Sequence, residues 1–561
     1  MSNKFQFDVI VIGAGINGAG IARDAAMRGL KVLLLDKGDI GGGTSSWSTR
    51  LIHGGLRYLE HGEIGLVRES LRERACLLNI CPHLVRPIPM LVPVYKHARR
   101  GLWTIRAGMI AYDALSPGKT LLRHRMLSRA ETLQQAPELC SEGLLGAAVY
   151  YDAQVEFAER LVVENVLSAV AYGATVFTYA QVEKLIVEDG KVRGVEFTID
   201  VQSPMSKVQG QRLTGTAGVP PADLRASSIE GAHSARAKIV INAAGPWVDQ
   251  LLAETSSPRL IGGTKGSHII VAPFTGAPGS AIYVEAETDH RPFFIIPWNG
   301  KYLIGTTDIR YEGDLDHVRI DNNEIEYLLR ETNRVIPKAK LAREQILYTY
   351  AGVRPLPFTG DKDEQSITRR HFIREHPALA GLFSIVGGKL TTYRSLAEQT
   401  VNRVLKKLPP HWDRGRPARS CATDRQPLPG ASTNDFAAFC TDFKQRSPLP
   451  EATNDRLLRI YGTRASLILN LVEEDPSLAE VFDAETSALA AEVVFAFKHE
   501  LATSLADCLL RRTMVGLNST CGLNAVEAAG AIAQKYLAWY DGRVEKEIAA
   551  YRKEINRHFR L

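Results

Sequence analysis

The chain has 561 residues, of which 45% are hydrophobic and 23% charged, a composition typical of soluble globular proteins. Such a length corresponds to roughly three or four domains and can bury a large core without disulfides. The net charge of +6 is small for this size and argues against a nucleic-acid-binding protein. The seven cysteines are scattered and no histidine cluster accompanies them, so we predict reduced thiols and no metal site. No run reaches the roughly eighteen apolar residues that span a membrane.

The first elements in chain order predict a βαβ unit. Residues 7–12 (FDVIVI) are typical of a buried parallel strand, residues 16–29 of a helix, and residues 31–35 (KVLLL) of the next strand. The apolar N-terminal run leads straight into this unit, so we interpret it as a strand and not as a signal peptide. The unit predicts an α/β fold.

Helical periodicity and strand alternation continue through the middle of the chain. Helical patterns cover 63–80 and 155–172, and residues 174–199 alternate as strands around the hairpin signal Asp189-Gly190. Residues 203–236 are rich in Gly, Ser, Ala and Pro and show no period. We predict that they form a surface insertion before the strand of KIVINAAGPW.

Strands give way to helices in the second half of the chain. Residues 265–310 and 343–357 are strand-rich, and the strand FSIV (383–386) precedes a helix that starts at a glycine pair. Residues 409–431 contain five prolines and are predicted to form a linker. Residues 432–561 have helical periodicity and are predicted to form a separate α-helical domain.

The sequence GAGING carries a dinucleotide fingerprint, GxGxxG, at Gly13, Gly15 and Gly18. A strand precedes it, a helix follows it, and Asp36 lies about twenty residues further on, where an acid accepts from a ribose hydroxyl. In this motif Gly13 makes the tight turn, Gly15 lets the backbone approach a pyrophosphate, and Gly18 lets helix and strand pack closely. The helix N-terminus supplies N–H donors to the phosphates.

Later segments favour FAD over a nicotinamide cofactor. The loop KGDIGGGTSSWSTR after Asp36 offers three successive glycines and several hydroxyls to a longer cofactor. VINAAGPW (240–247) supplies another strand-to-turn junction, and VGGKLTTYRSLAEQ supplies a second helix N-terminus after Gly387-Gly388. Such an N-terminus favours negative charge and can face the pyrimidine side of a reduced flavin.

The stretch TRLIHGGLRYLEHG (49–62) is predicted to run along the flavin, with a glycine pair letting the backbone pass close to the ring. The cofactor-binding residues that we predict from these segments are Gly13, Gly15, Asn17, Gly18, Asp36, Lys37, Thr44, Ser45, Ser46, His53, Gly54, Gly55, Ala244, Gly245, Gly388, Lys389, Leu390, Thr391 and Thr392.

Several long motifs together resemble the FAD-dependent glycerol-3-phosphate dehydrogenase family of the quinone-linked, aerobic type. They are DVIVIGAGINGAGIARDAAMRGL, TSSWSTRLIHGGLRYLE, VINAAGPWVD, KGSHIIV, IGTTD, YAGVRPL, GGKLTTYRSLAE and TDRQPLPG, with LADCLLRRT (505–513) in the tail. The resemblance runs from about residue 5 to beyond 430 and is interrupted by the insertion. It implies oxidation of sn-glycerol 3-phosphate to dihydroxyacetone phosphate, with FAD as hydride acceptor and a membrane quinone as final acceptor.

The resemblance also implies the architecture. We expect a Rossmann-like FAD-binding domain of the glycine-oxidase (DAO) type, a mixed-sheet substrate domain and an all-α C-terminal domain. The expected FAD-binding parts are residues 5–90, 155–250 and 345–408, and the substrate-binding parts are 91–154 and 251–344.

The expected substrate joins a phosphate dianion to a secondary alcohol. Arginine suits the phosphate because its planar fork matches the phosphate oxygens in pairs. Arg57 and Arg354 lie in motifs that resemble substrate-contacting segments of the family, and Tyr58 adjoins Arg57. Lys389 stands at a helix start, where a cation is unfavourable unless an anion is near. We therefore predict that Arg57, Tyr58, Arg354 and Lys389 bind substrate.

Oxidation of the alcohol requires a group that accepts the hydroxyl proton, and a histidine has a pKa near neutrality. We predict His268 in KGSHIIV as the first choice and His53 as the second. Both are predicted catalytic residues together with Arg354. Trp47 and Arg50 stand where the family commonly has other residues, and Arg50 keeps a positive charge that a lysine often supplies.

Residues 95–119 mix basic residues with Trp103 and aliphatic side chains, as in a helix that lies in the headgroup layer of a membrane. The expected partners are sn-glycerol 3-phosphate, a membrane quinone and an anionic lipid surface, without nucleic acid. A homodimer is one option for the assembly. We expect a cytoplasmic protein peripherally associated with the inner face of the cell membrane.

Three other activities fit parts of the pattern. A glycerol-3-phosphate oxidase would share the fingerprints but use oxygen as its acceptor. An FAD-dependent amino-acid oxidase would need a carboxylate clamp and no phosphate site. An FAD-binding tRNA-modification or RNA-binding protein would need a strong basic stripe with aromatic residues, which this sequence lacks.

Overall fold

A computed structural model describes residues 5–60, 62–116, 121–199, 231–255, 257–360, 368–408 and 420–559. The strands in these ranges are β1 (Phe5–Ile12), β2 (Val32–Leu35), β3 (Leu51–Ile52), β4 (Val85–Tyr95), β5 (Arg125–Ser128), β6 (Leu144–Val155), β7 (Thr175–Phe177), β8 (Ala180–Glu188), β9 (Lys191–Ile199), β10 (Gly231–Asn242), β11 (Thr264–Val271), β12 (Ala281–Glu285), β13 (Pro292–Trp298), β14 (Lys301–Gly305), β15 (Ile309–Arg310), β16 (Ile346–Arg354), β17 (Phe372–Glu375), β18 (Leu382–Val386), β19 (Val481–Asp483) and β20 (Ala488–Leu489).

The α-helices in the same ranges are α1 (Ile16–Met27), α2 (Arg57–Glu60), α3 (Ile64–Ile80), α4 (Leu102–Leu115), α5 (Arg129–Gln135), α6 (Ala158–Ala171), α7 (Val248–Leu251), α8 (Asn322–Val335), α9 (Tyr393–Lys407), α10 (Phe436–Arg446), α11 (Glu451–Tyr461), α12 (Ala465–Glu474), α13 (Ala490–His499), α14 (Leu505–Asp507), α15 (Val526–Leu537) and α16 (Asp541–His558).

The first sheet is the nucleotide-binding layer. Its strand order is β17-β18-β10-β1-β2-β7, with β9 beside β10 and β8 beside β9. β1 pairs in parallel with both β2 and β10, which is the arrangement that a βαβ unit produces. The apolar faces of α1, α6 and α9 pack on this sheet in one core cluster. The carboxyl ends of β1 and β2 therefore meet at one edge, where the fingerprint loop begins.

The second sheet is mixed and larger. Its order is β15-β11-β14-β13-β12-β4-β6-β3, with β16 paired to β11 and β5 to β6. The expected boundary at residue 345 would put β16 with the FAD-binding part, but eight register pairs join β16 to β11 in this second sheet. β4 likewise begins at Val85 and pairs with β6 along its length, so this sheet starts before residue 91. Both β4 and β16 therefore belong to the second sheet, because each pairs antiparallel with a strand of that sheet over most of its length.

The C-terminal region is a helical domain that carries one small strand pair, β19–β20. It is joined to the nucleotide-binding layer by buried ion pairs: Arg160 of α6 binds Glu500 at 2.5 and 2.8 Å, and Arg512 binds Asp39 at 2.7 and 2.9 Å. Its side chains share one core cluster with the second sheet. Among the residues described, no helix is both long and apolar enough to cross a membrane.

Two predicted boundaries shift. Residues 203–230 of the proposed insertion lie outside the described ranges, but residues 231–236 belong to β10, which pairs antiparallel with β9 from Gly231 to Arg236. Of the proposed linker, residues 409–419 also lie outside the description. Its remainder is docked, because Leu428 is buried and the Gly430 amide donates to the buried Glu164 carboxylate at 3.0 Å. A free spacer is therefore a wrong description of residues 420–431.

Candidate cofactor and active site

A cavity of about 1170 Å³ lies between the two sheets. The fingerprint loop and the loop after β2 line one end of it, and side chains of β11 and β16 line another part. Residues of the C-terminal domain also contribute to its wall. This cavity collects most of the site residues that the sequence predicts.

The fingerprint glycines are required by close backbone contacts. Gly13 has a φ of +101°, and a Cβ on it would lie 2.7 Å from the Ala243 carbonyl oxygen. A Cβ on Gly18 would lie 1.8 Å from the Gly13 carbonyl oxygen, so only glycine lets α1 approach the turn. Helix α1 starts after Gly15 without an acidic residue in its first turn. The dipole of its N-terminus thus favours an anion in the cavity.

Asp36 ends β2 beside this turn. Its carboxylate accepts from the Ala14 amide at 2.5 Å and from the Gly38 amide at 2.8 Å. Burial raises the pKa of this carboxyl above its ordinary value, while those two amides act in the opposite direction. The residue lines the cavity, where a carboxylate held by backbone donors can accept from a ribose hydroxyl.

A second cradle forms where β18 runs into a 3₁₀ turn at Leu390–Thr392 and then into α9. Gly388 has a φ of +101°, and a Cβ there would lie 2.9 Å from the Asn17 amide nitrogen. The Asn17 side chain donates to the Gly387 carbonyl at 3.3 Å, while its buried Oδ1 has no hydrogen-bond partner within the described part of the chain. The Asn17 Oδ1 atom can therefore accept a hydrogen bond from an N–H group of a ligand bound at this helix start.

These features fit FAD. The α1 N-terminus can hold the pyrophosphate, Asp36 the ribose, and the 390–392 turn the ring end of a dinucleotide that spans the cavity. The Ser45 hydroxyl accepts from the Ile16 amide at 3.0 Å and stands at the pyrophosphate end, and Thr44 donates to the Val353 carbonyl at 2.7 Å.

Arginines crowd one wall of the cavity around Asp308. Arg354 binds Asp308 Oδ1 at 2.9 Å and also donates to Thr306 at 3.0 Å, and Arg369 binds Asp308 Oδ2 at 2.6 Å. Arg291 donates to the backbone carbonyl of Asp308. Asp289 lies 3.7 Å from Arg291, so the three guanidiniums of this wall face the carboxylates of Asp308 and Asp289. Guanidiniums that line a cavity in this way suit an anion.

His268 lies beside this cluster. Gly266 and His268 project from the same face of β11, and a Cβ on Gly266 would lie 2.2 Å from the Arg354 guanidinium. The imidazole is 1% exposed, and its Nε2 lies 3.0 Å from Thr49 Oγ1. Burial, with the charges of Arg354 and Arg50, holds the pKa of His268 well below its ordinary value. The ring is therefore neutral at physiological pH.

Lys389 and Tyr58 also line the cavity and contact each other. The ammonium lies 4.5 Å from the Tyr58 ring centre and donates to Ser70 at 3.1 Å. Burial lowers the pKa of Lys389. Gly55, with a φ of +74°, leaves room for the Tyr58 ring, which a Cβ would meet at 2.1 Å. Arg57 is the first residue of α2, and its side chain lies outside what the structure describes.

Most predicted residues line the cavity. These are Gly13, Gly15, Asn17, Asp36, Lys37, Thr44, Ser45, His53, Gly55, Tyr58, Ala244, Gly245, His268, Arg354, Gly388, Lys389, Leu390 and Thr391.

Four predicted cofactor residues lie behind the wall. Gly18 serves the helix-to-turn contact, and the Ser46 hydroxyl donates to the Gly41 carbonyl at 2.6 Å. The Gly54 amide donates to Tyr112 at 2.8 Å, and Thr392 is 1% exposed. These residues contact other parts of the chain, so they support the walls of the cavity and do not line it.

Four residues that surround Arg354 in the cavity were not predicted from the sequence. Asp308 ends the motif IGTTD, in which the acid was an available signal, and Gly266 precedes His268 in KGSHIIV. Arg291 and Arg369 stand in segments without a motif, and only tertiary packing brings them to Asp308.

Trp47 and Arg50 occupy different surroundings. Arg50 forms a buried bidentate pair with Glu159 at 2.7 Å for both contacts, and this pairing outweighs burial and raises the pKa of the guanidinium. Trp47 lines the cavity and stacks on His558 of α16 with ring centres 5.5 Å apart. Arg50 thus has a structural partner, while Trp47 connects the cavity with the C-terminal domain.

The chain is similar to known protein families and to characterised relatives. Residues 8–394 match the FAD dependent oxidoreductase family (DAO), and residues 421–544 match the C-terminal domain of alpha-glycerophosphate oxidase. A glycerol-3-phosphate dehydrogenase of Synechocystis sp. is 44% identical over 98% of this chain and 97% of its own length. A D-erythritol 1-phosphate dehydrogenase of Brucella abortus is 36% identical over 96% of this chain and 99% of its own length.

A solved structure agrees with these matches. The glycerol-3-phosphate dehydrogenase of Bacillus halodurans complexed with FAD superposes with a TM-score of 0.74 at 27% identity, covering 100% of this chain and 96% of that one. Glycine oxidase of Geobacillus kaustophilus shares the fold with a TM-score of 0.53 at 19% identity, over 72% of this chain and 96% of its own. The predicted α/β fold with a helical C-terminal domain and FAD as the cofactor is thus confirmed, and the chain belongs to the FAD-dependent glycerol-3-phosphate dehydrogenase family.

Proposed function

We propose that this chain oxidises sn-glycerol 3-phosphate to dihydroxyacetone phosphate and delivers the electrons to a membrane quinone. The observation that carries the proposal is the wall of Arg291, Arg354 and Arg369 next to the neutral His268 in one cavity. The secondary alcohol of sn-glycerol 3-phosphate stands on the carbon next to the one that bears the phosphate dianion, so the two groups need such a pair of neighbouring sites.

The arginine wall binds the phosphate in this proposal. Arg354 is held by Asp308 and Thr306, so its planar fork is oriented before the substrate arrives. A guanidinium that is already positioned loses little conformational entropy when it pairs with phosphate oxygens. Lys389 and Tyr58, which line the same cavity, complete the pocket.

His268 accepts the hydroxyl proton. Its Nδ1 is buried without a partner among the described residues, whereas Nε2 contacts Thr49 at the cavity wall. Nε2 is therefore the nitrogen that can take the proton, directly or through the Thr49 hydroxyl. FAD, when bound, accepts the hydride from C2. His53, which lines the same cavity, is the second candidate for the proton acceptor.

Helix α4 supports contact with a membrane surface. Trp103 is 80% exposed and Ile110, two turns later on the same face, is 54% exposed. The exposed Arg99 and Arg106 add positive charge beside them. The opposite face of α4 contacts residues 49–62, which are predicted to run along the flavin, because Tyr112 accepts from the Gly54 amide. A quinone at this surface would thus be near the cofactor, on the cytoplasmic side of the membrane.

The test is an anaerobic titration of the purified flavoprotein. We expect sn-glycerol 3-phosphate to bleach the flavin absorbance and a quinone analogue to restore it. D-Erythritol 1-phosphate, suggested by the Brucella abortus relative, is the comparison substrate and should bleach the flavin more slowly. Faster bleaching by the four-carbon substrate would overturn the substrate assignment. Reoxidation by oxygen at the rate seen with quinone would instead indicate an oxidase.

A further inference from the structure

We propose that α16, in the C-terminal helical domain, is part of the FAD site and forms the wall of the cavity beside the adenosine half of the cofactor. This inference rests on FAD as the cofactor and is independent of the substrate. It gives the helical domain a binding role, where the nucleotide fingerprint alone would assign FAD binding to the first sheet.

One face of α16 lines the cavity. Its lining residues recur at helical spacing and are Lys546, Glu547, Ala550, Tyr551, Glu554, Arg557 and His558. From Lys546 to His558 the helix advances about 18 Å at 1.5 Å per residue. The stripe is therefore long enough to accompany a large part of an extended dinucleotide.

The N-terminal half of this stripe lies next to the predicted ribose site. The Ala180 amide donates to the Asp36 carbonyl at 2.7 Å, and the neighbouring Tyr179 donates to Asp507 at 2.5 Å. The Leu505 amide in turn donates to Glu547 of α16 at 2.9 Å. Through these three hydrogen bonds, Asp36, which is the predicted ribose acceptor, is connected with Glu547 of α16.

The C-terminal half of the stripe reaches the same loop from its other side. Arg557 donates to the Asp316 carbonyl, and the Asp316 carboxylate binds Lys37 at 2.7 Å. The stacking of His558 on Trp47 fixes the far end of the loop. Since Lys37 follows Asp36 directly, α16 flanks the ribose corner at two points along its length.

The helical domain also fixes this loop from behind. The Asp39 carboxylate is buried and accepts from Arg511 at 2.5 Å and from Arg512 at 2.7 and 2.9 Å. Burial would raise the pKa of Asp39, but the two guanidiniums outweigh it and lower the pKa below its ordinary value. The loop from Asp36 to Trp47 is thus held between the fingerprint turn and the C-terminal domain.

Ala550 provides a sharp test, because it is exposed, lies in the middle of the stripe and faces the cavity. Ala549 is also exposed on α16 but does not line the cavity. We expect Ala550→Trp to raise the dissociation constant for FAD, measured by fluorescence titration of the FAD-stripped full chain, by about tenfold or more through overpacking. Ala549→Trp should leave it within about twofold of the parent value. Equal dissociation constants for the two variants would overturn the proposal.

A second measurement avoids the bulky side chain. In Ala550→Cys and Ala549→Cys, the rate of maleimide labelling at the new thiol is followed by peptide mass spectrometry with and without FAD. We expect FAD to slow labelling at position 550 and to leave position 549 unchanged. Labelling at position 550 that is insensitive to saturating FAD would show that α16 stands away from the cofactor. Neither readout depends on glycerol 3-phosphate, so a failure here is distinct from a failure of the proposed reaction.

Discussion

Arg354 shows how one side chain depends on the residues around it. Its guanidinium lies across Gly266, where any Cβ would collide with it, and Asp308 and Thr306 fix its plane. A single arginine in a flexible loop would provide the same charge without this orientation. We therefore expect the geometry, and not the charge alone, to suit Arg354 to the phosphate of the proposed substrate.

The conservative change Arg354→Lys should lower kcat/KM for sn-glycerol 3-phosphate by about tenfold to a hundredfold. Lysine keeps the charge but loses the fork, and a hydrogen bond to a charged group is worth about 1.5–3 kcal/mol. Steady-state kinetics with a quinone analogue measures the effect. Arg310→Lys is the control, since Arg310 lies on β15 near the same wall but does not line the cavity. Equal kinetics for both variants would contradict a role of the Arg354 fork.

As the proposed proton acceptor, His268 is expected to set the pH dependence of the reaction. A proton acceptor must be neutral, and the pKa of His268 is held below its usual value by burial and by Arg354 and Arg50. Above about pH 6.5, the pKa of a histidine in the unfolded chain, His268 is neutral in the folded protein. It becomes protonated only as the pH falls through the lower pKa of the folded state. The acid limb of kcat/KM should therefore lie below about pH 6.5.

The variant His268→Asn should lower kcat by about 10²–10⁴ and remove that acid limb. The matched variant His53→Asn tests the second candidate in the same cavity. We expect it to retain the limb and to lose much less activity. The reverse pattern in the two pH profiles would transfer the proton-accepting role to His53.

At the scale of elements, α4 has two distinct faces. Ile105, Met109 and Tyr112 are buried against the body of the protein, whereas Trp103 and Ile110 face outward. A large exposed indole near exposed arginines is costly in water but favourable at the headgroup layer. The helix thus connects residues 49–62, which are predicted to run along the flavin, with the surface that we propose to bind a membrane.

The variant Trp103→Glu should weaken binding to vesicles containing anionic lipid, because it removes apolar contact and adds a repelled charge. Vesicle co-sedimentation at physiological salt measures the bound fraction. Thr441→Glu adds the same charge at an exposed position of α10, in the helical domain, and should have little effect. Equal losses in both variants would indicate a general charge effect and not a surface on α4.

At the scale of the whole molecule, buried ion pairs join the domains. Glu500 is fully buried and binds Arg160 of α6 at 2.5 and 2.8 Å, and Arg464 donates to it as well. Burial would raise the pKa of Glu500, but these arginines outweigh burial and lower it to about 2. The ionised Glu500 therefore contributes its full stabilisation above about pH 4.3, the pKa of a glutamate in the unfolded chain. This stabilisation is lost as the pH falls towards the pKa of Glu500 in the folded protein.

The variant Glu500→Gln should lower the free energy of unfolding by about 3–5 kcal/mol at pH 7, because it leaves the buried Arg160 without its ion-pair partner. Urea denaturation followed by tryptophan fluorescence measures the change. Glu527→Gln breaks an exposed pair with Arg552 and should cost less than about 1 kcal/mol. Similar costs for the two variants would show that the interdomain pair does not hold the domains together.

The sequence by itself determined the local parts of this protein. The fingerprint strand, its helix and Asp36 could be read because the glycine spacing and apolar periodicity act over a few residues. The Asp189-Gly190 hairpin could be predicted for the same reason. Both residues have a positive φ in the turn between β8 and β9. Long family motifs indicated the family and hence FAD, which the comparisons confirm.

Only the tertiary structure decided which distant residues meet. β16 belongs to the second sheet because it pairs with β11, a partner some eighty positions earlier in the chain. Arg291 and Arg369 reach Asp308, and α16 reaches the loop after Asp36, through packing that no local pattern encodes. Periodicity indicates which face of an element is buried but not which partner covers it. The arginines around Asp308 and the position of α16 along the cavity could therefore be identified only in the folded molecule.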